Sequence, residues 1–429
     1  MKTWKTFFGT ALAAALVAVP IACDRTTEID DDDDGDGGTD TGTGTLDDFP
    51  WAAVDVLLVV DNSGSMAEEQ QIFATSVFSL VNSLVAPLPN SPWPAADDVR
   101  VAVVSTDMGL QWGDNAYTDG DGWPGQLPQG CSDVGDDGQF QTYGTGMTID
   151  LQDNAIPCES GGVQCPTNWT CGNIGLGGIG VCQAPGGDGT NQACPDLDED
   201  WAETAQAEPN GQLSMQVACL SSLGTGGCGL EQQLQSAAVA VNRGDQAAFL
   251  RDDALLAVIV ITDEEDCSIE NKALFLVPEI QNQADKKVNI ACNLDANEQH
   301  LFSTTHFYNA LIEAKQGRVS GVVFGAIVGV PVDDACQGLG SEILACLDHE
   351  DMQKVPIQEE TSSGSTWFFK PACNRMEGAV EVTKARPGRR YVSLAQGFQS
   401  GGYVYSICNE DWTPAMADLA AIIAERLVD

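Results

Sequence analysis

Positive charge is scarce in this chain. Lysine and arginine total 19 against 63 aspartates and glutamates, a formal net charge of −44. Nucleic acid is thereby excluded as a partner, because affinity there rests on neutralising phosphates with basic side chains. Anionic lipid surfaces are disfavoured for the same reason. Histidine is scarcer still, with only His300, His306 and His349. No Cys-x-x-Cys and no His-Glu-x-x-His occurs, so zinc lacks its usual ligand patterns. Beyond the amino terminus no stretch of 18 apolar residues exists, so no later segment is expected to span a bilayer.

The first residues, MKTWKTFFGTALAAALVAVPIAC, carry two lysines, an apolar stretch from about Phe7 to Val19, and then small residues. This pattern predicts a secretory signal peptide over residues 1–22. The IAC ending resembles a lipobox, with Pro20 where that motif prefers leucine, and it points to Cys23 as a lipidation site. Cysteine arithmetic favours the same reading. Of 15 cysteines, 14 remain once Cys23 is set aside, all between Cys131 and Cys408. An even number in an exported chain reads as a disulfide framework. Seven bridges are expected, mostly within 107–228 and 331–408. Residues 23–50 are glycine, threonine and aspartate with almost no apolar side chains, and read as a disordered, self-repelling tether. The protein is accordingly expected in a bacterial cell envelope, touching a membrane only through its amino-terminal lipid.

Two stretches carry the chemistry. In VDVLLVVDNSGSM, Val54 and Val56–Val60 surround only Asp55, which reads as a strand covered on both faces. It ends at Asp61, and Ser63 and Ser65 follow at alternate positions before a helical pattern begins near Met66. A carboxylate and two hydroxyls in a tight strand-to-helix turn offer oxygen ligands to a hard divalent cation, Mg²⁺ before Zn²⁺. The competing reading is a simple helix N-cap. Far along the chain, Leu255–Ile261 is a second continuous apolar run, closed by Asp263 two residues later. Two buried strands each delivering an aspartate at the carboxyl end is what a metal site at a sheet edge requires.

These residues resemble the von Willebrand factor A family and its metal-ion-dependent adhesion site. Asp61, Ser63 and Ser65 match the first motif, and Thr262-Asp263 matches the strand-end aspartate of the third. The resemblance covers about 54–106 and 225–429. It implies a doubly wound, mostly parallel α/β sheet, interrupted here by cysteine-rich insertions at about 107–222 and 331–388. It also implies a metal-binding threonine in the loop before the second helix, for which Thr225 is the candidate. The resemblance implies Mg²⁺, or Mn²⁺ or Ca²⁺ in its place, completed by an acidic side chain of a partner protein.

The remaining pattern predicts a helix over Met66–Leu84, a strand over Val99–Thr106, and a helix carrying Leu230, Leu234 and Val241. Further on it predicts a helix over Glu298–Lys315, a buried strand over Arg318–Val330, a short strand at Tyr391–Ala395 and a closing helix over Pro414–Val428. The 107–222 insertion is expected to lack regular elements, with Asp119-Gly-Asp121 a turn. Glu264 is expected beside the metal loop, with Glu265 and Asp266 in a solvated turn. Enzymatic function is not expected, since no serine elbow, no histidine in a recognisable setting and no general base accompany the acidic loop. The alternatives are a structural envelope protein with a loop-rigidifying metal and, behind it, a metal-assisted hydrolase.

Overall fold

Four apolar runs build the centre of the molecule, each buried along its length except for the partly exposed Arg100 in the second. The structure, a computed structural model, describes residues 51–428 with breaks, chiefly at 86–94, 110–130, 145–156, 160–169, 184–191, 205–211 and 282–286. The expected signal peptide, Cys23, the tether and the turn at Asp119 lie outside the described residues.

The chain opens with β1 (Ala53–Val60), α1 (Ala67–Val85) and β2 (Val99–Ser105). The first insertion then contributes β3 (Tyr143–Gly144), β4 (Pro157–Glu159), β5 (Thr170–Leu176), β6 (Ile179–Gln183), β7 (Gln192–Ala193), β8 (Ala202–Glu203) and α2 (Gln212–Leu220). It therefore holds regular elements where none was expected. Next come α3 (Gln233–Ala240), β9 (Ala254–Ile261), the single turn α4 (Pro278–Gln281), α5 (Thr304–Glu313) and β10 (Val322–Val328). The second insertion carries β11 (Gly338–Leu339) and two hairpins, β12 (Pro356–Thr361) with β13 (Gly364–Phe369) and β14 (Cys373–Glu377) with β15 (Val380–Ala385). The chain closes with α6 (Arg389–Phe398), β16 (Gly402–Ser406) and α7 (Thr413–Val428).

Seven strands form one mixed sheet in the order β11-β16-β10-β9-β1-β2-β8. The central five run parallel, and the outer two pair antiparallel. Both edge strands are only two residues long, which limits edge-to-edge pairing. Side chains of β1 divide by parity. Val54, Val56, Leu58 and Val60 join a core with Phe73 and Val77 of α1, Val217 of α2 and Leu419 of α7. Leu57 and Val59 join a second core with Leu234 of α3, Phe307 of α5 and Val392 of α6. Helices thus cover both faces, which is why the parallel strands read as apolar runs interrupted only by single residues.

Two further expectations need correction. Tyr391–Ala395 is not a strand but the middle of α6: Tyr391, Leu394, Ala395 and Phe398 are buried at helical spacing. The strand of that region is β16, whose Tyr403 and Val404 are buried within the sheet. The helix expected from Glu298 begins at Thr304, where the Ser303 side chain accepts from the His306 N–H as an N-cap. Five disulfides are seen among the described residues: Cys131–Cys228, Cys194–Cys219, Cys267–Cys292, Cys336–Cys346 and Cys373–Cys408. Such bridges fit an oxidising compartment outside the cytoplasm.

Candidate functional site

The register of the three adjacent parallel strands sets the site. Val60 pairs with Ser105 on one side and with Ile261 on the other. The next residue of each strand therefore sits in one row at the carboxyl edge: Thr106, Asp61 and Thr262. Thr262 Oγ1 donates to Asp61 Oδ2 at 2.6 Å, and Thr106 Oγ1 donates to Asp61 Oδ1 at 3.4 Å. The Ser63 N–H adds a third bond to Asp61 Oδ1 at 2.8 Å. Asp61 is fully buried, held by donors from its own turn and both neighbouring strands. Open parallel sheets bind ligands at this edge where the chain switches direction, and here β1 is followed outward by β2 while β9 lies on its other side.

The other oxygens converge in front of that row. Ser63 Oγ and Ser65 Oγ are 3.2 Å apart, and Ser65 Oγ donates to Asp263 Oδ1 at 3.1 Å across 198 residues of sequence. Ser63 and Asp263 are buried, whereas Gly64 and Ser65 are exposed. The group therefore opens to solvent on the Gly64–Ser65 side.

The loop before α3 is clamped onto this turn. Gln70 of α1 donates to the carbonyls of Asp61 and Gly224, each at 2.8 Å, and accepts from the Gly224 N–H. Farther along, the Gly227 N–H donates to the Asn62 carbonyl at 2.8 Å. A side chain at 227 would meet Asn62 Oδ1 at 2.1 Å, so the Asn62 side chain would have to move to admit one. Thr225, the expected ligand of this loop, lies between the two clamps with its side chain exposed. No hydrogen bond among the described residues joins it to Asp61, Ser63, Ser65 or Asp263.

Negative charge is concentrated here without a matching cation. Burial holds Asp61 above the usual carboxylate range against its three hydrogen bonds. Burial, then the charges of Glu264, Asp61 and Glu69, push Asp263 well above it. Glu231, at the approach to α3, is raised by burial and then by Asp61, Glu264 and Asp263. Glu264 is pushed to about 7 by burial against the pull of Arg386. Among the described residues no lysine or arginine forms an ion pair with any of these four. Two buried amide oxygens beside them, Asn62 Oδ1 and Gln233 Oε1, accept no hydrogen bond. Carboxylates, hydroxyls and unspent amide oxygens are the donors a hard divalent cation takes, so the residue set fits Mg²⁺ or Ca²⁺. Among the described residues no three Asp, Glu, His or Cys side chains form a ready cluster for a metal. The oxygens that converge around Ser63 are largely hydroxyls, which such a cluster does not include.

The expectation of a solvated turn at Glu265 and Asp266 is overturned. Asp266 is fully buried, accepts from the Leu234 N–H at 2.9 Å and pairs with Arg390 at 2.8 Å. Glu265 accepts from the N–H groups of Arg389 and Arg390 at 2.8 and 3.1 Å, capping α6 from a distant loop. Thr106, Gln70, Gln233 and Glu231 also belong to the site and were not picked out in the sequence. Their roles follow from strand register and loop path, and only the polar residue closing the β2 run hinted at Thr106.

No known family model matches the chain, and no curated protein does. Among solved structures, a pilus adhesin from Streptococcus pneumoniae is similar at 12% identity, covering 82% of this chain and 38% of that one, with a TM-score of 0.22. The chain thus spans little more than a third of that adhesin's length, and a likeness this low carries no argument about function.

Proposed function

We propose that this protein is a metal-dependent binding domain of the von Willebrand factor A type, with a doubly wound sheet and a metal-ion-dependent adhesion site. Asp61, Ser63, Ser65 and Asp263 would hold Mg²⁺, with Mn²⁺ or Ca²⁺ as substitutes, and Thr225 is the candidate from the third loop. The observation that carries this reading is the contact of Ser65 with Asp263, which unites motifs from two separate strands at one solvent-open point. An N-cap needs no such long-range partner. A bound cation supplies an electrophilic centre there. Asp61 would stay behind it, held by Thr106 and Thr262, and the exposed Gly64–Ser65 edge leaves room for an acidic side chain of a partner protein.

The setting is that of an exported protein, lipid-anchored through Cys23 at the cell envelope and carried on the acidic tether. Isothermal calorimetry with Mg²⁺ tests the site. The wild type should bind, and Asp61→Ala should lose binding while remaining folded. The Ser63 hydroxyl meets Ser65 Oγ and caps no helix N–H among the described residues, so Ser63→Ala should weaken binding with little change in stability. Equal heats in all three proteins, or none in the wild type, would defeat the reading.

A further inference from the structure

The path of the chain between Gly227 and Leu234 bears on which residue of this segment meets the ion. Gly227 is bonded to Asn62 beside β1, and the Gln232 N–H donates to the Thr106 carbonyl at the end of β2 at 3.0 Å. Gln233 Nε2 donates to Thr262 Oγ1 at the end of β9 at 2.9 Å, and the Leu234 N–H is bonded to Asp266. The segment is therefore stitched across the carboxyl ends of all three strands that form the site. Glu231 lies in the middle of these stitches. Its carbonyl accepts from the Cys267 N–H at 2.9 Å, which fixes its backbone against the β9 loop, and its side chain is only 7% exposed.

We propose that Glu231, rather than Thr225, is the oxygen ligand that the segment before α3 contributes to the metal site. A buried glutamate with carboxylate neighbours and no cationic partner is costly unless a cation accompanies it. A second observation points the same way. Gln233, fully buried, turns its amide into the same space, where Nε2 is spent on Thr262 and Oε1 has no partner. Asn62 Oδ1 is likewise buried and unspent on the other side of the segment. Thr225 has the opposite character: exposed, in a glycine-flanked loop, with open space around neighbouring Gly226.

This inference rests on the metal reading above and refines its partner chemistry. With Asp61, Asp263 and Glu231 all ionised, three carboxylates outweigh a divalent cation. A partner's acidic side chain would then reach the ion by displacing Glu231.

Terbium luminescence tests the assignment, because lifetimes in H₂O and D₂O count the waters bound to the ion. Glu231→Ala should add one water and lower Tb³⁺ affinity about tenfold or more, the scale on which metal-site residues act. Glu231→Gln keeps the shape and should also lose affinity, and it carries the test should the alanine variant fold poorly. Thr225→Ala should change neither quantity. An unchanged water count in Glu231→Ala, or a water gained in Thr225→Ala, overturns the assignment while leaving the metal site standing. A wild type that binds no Tb³⁺ overturns both.

Discussion

At the scale of single residues, the site depends on how closely the loop before α3 packs on the Asn62 side chain. Gly227 faces Asn62 so tightly that a methyl group would sit 2.4 Å from Asn62 Cγ and 2.1 Å from its Oδ1. Gly227→Ala should therefore cost about 1–3 kcal/mol in thermal melts, the range for overpacking, and should weaken the cation by moving the clamped loop. Gly64 and Gly226 have open space at the same position, and alanine there should change stability by no more than about 0.5 kcal/mol. A melt in which all three variants behave alike would refute the close-approach argument.

A second residue-scale test lies away from the metal site. Asp55, the one polar residue within β1, is fully buried and accepts from the Arg251 N–H and Nε, each at 2.8 Å. Lys315, 1% exposed, lies within reach of that charge, donates to the Arg251 carbonyl at 2.6 Å and stands over the Trp51 ring. Burial lowers the Lys315 amine from 10.5 to about 8, with Asp55 opposing the fall. Between those two values the unfolded chain holds a proton that the folded chain has released. Stability from this group must then rise with pH across the window, by at most about 1.4 kcal/mol per unit. Lys315→Met removes the titration. The stability of the wild type relative to Lys315→Met, measured by urea unfolding at pH 7, 8, 9 and 10, should climb above pH 8. A flat difference would show that the amine titrates normally.

At the scale of elements, legibility followed burial on both faces. β9 and β10 are continuous apolar runs, and β1 and β2 are broken only by Asp55 and Arg100, because helices cover each side, and a run of that kind is visible without context. The closing helix was likewise legible, since Met416, Leu419 and Ile423 fall at helical spacing and are buried in α7. The hairpins β12–β15 were hidden because three of their four strands carry charged or amide residues, and all are short and partly exposed rather than continuous apolar runs. Five β-compatible residues in a row disguised α6. Its helical stripe shows only when Phe398 is counted with Tyr391 and Leu394. The aspartate and serines of the first motif were legible because they adjoin a strand end. Thr106 and Glu231 were not, since a parallel register brings Thr106 to Asp61 and a loop path carries Glu231 across the same strand ends. The reading of Glu265 failed for a related reason. Charged residues after a strand usually meet water, but here the amino terminus of α6, without a side-chain cap of its own at Gly388, receives Glu265 instead. Glu265→Ala should cost about 0.5–2 kcal/mol, the range for losing a cap, as measured by urea unfolding. A loss no larger than that of Glu270→Ala, on the exposed surface, would refute the capping role.

At the scale of the whole molecule, the disulfides determine what the metal loop rests on. Cys228 and Leu230 sit in a third, small core with Cys267, Leu274, Phe275, Ile280 and Cys292, separate from the two cores that flank the sheet. Two bridges serve this core: Cys267–Cys292 within it, and Cys131–Cys228, which ties the first insertion to the segment carrying Thr225 and Glu231. The Cys131–Cys228 bridge closes 97 residues, and Cys336–Cys346, on the far side of β10, closes only 10. Chain entropy assigns about 4–5 kcal/mol to the long closure and about 3 kcal/mol or less to the short one. Stability alone therefore separates the two bridges weakly, and metal affinity should separate them strongly. Replacing Cys131 and Cys228 together by serine leaves the segment held by hydrogen bonds alone, among them those to Asn62, Thr106, Cys267 and Thr262, and the Mg²⁺ or Tb³⁺ affinity should fall. Replacing Cys336 and Cys346 should lower the melting temperature while leaving affinity unchanged. Ellman titration of the denatured, unreduced wild type should find no free thiol among its paired cysteines, so that each variant is compared with a fully bridged parent. If the two double variants lose stability but bind the ion equally well, the insertion is a passenger on the sheet. If only the Cys131–Cys228 pair matters to the ion, the cysteine-rich insertion is part of the site's foundation.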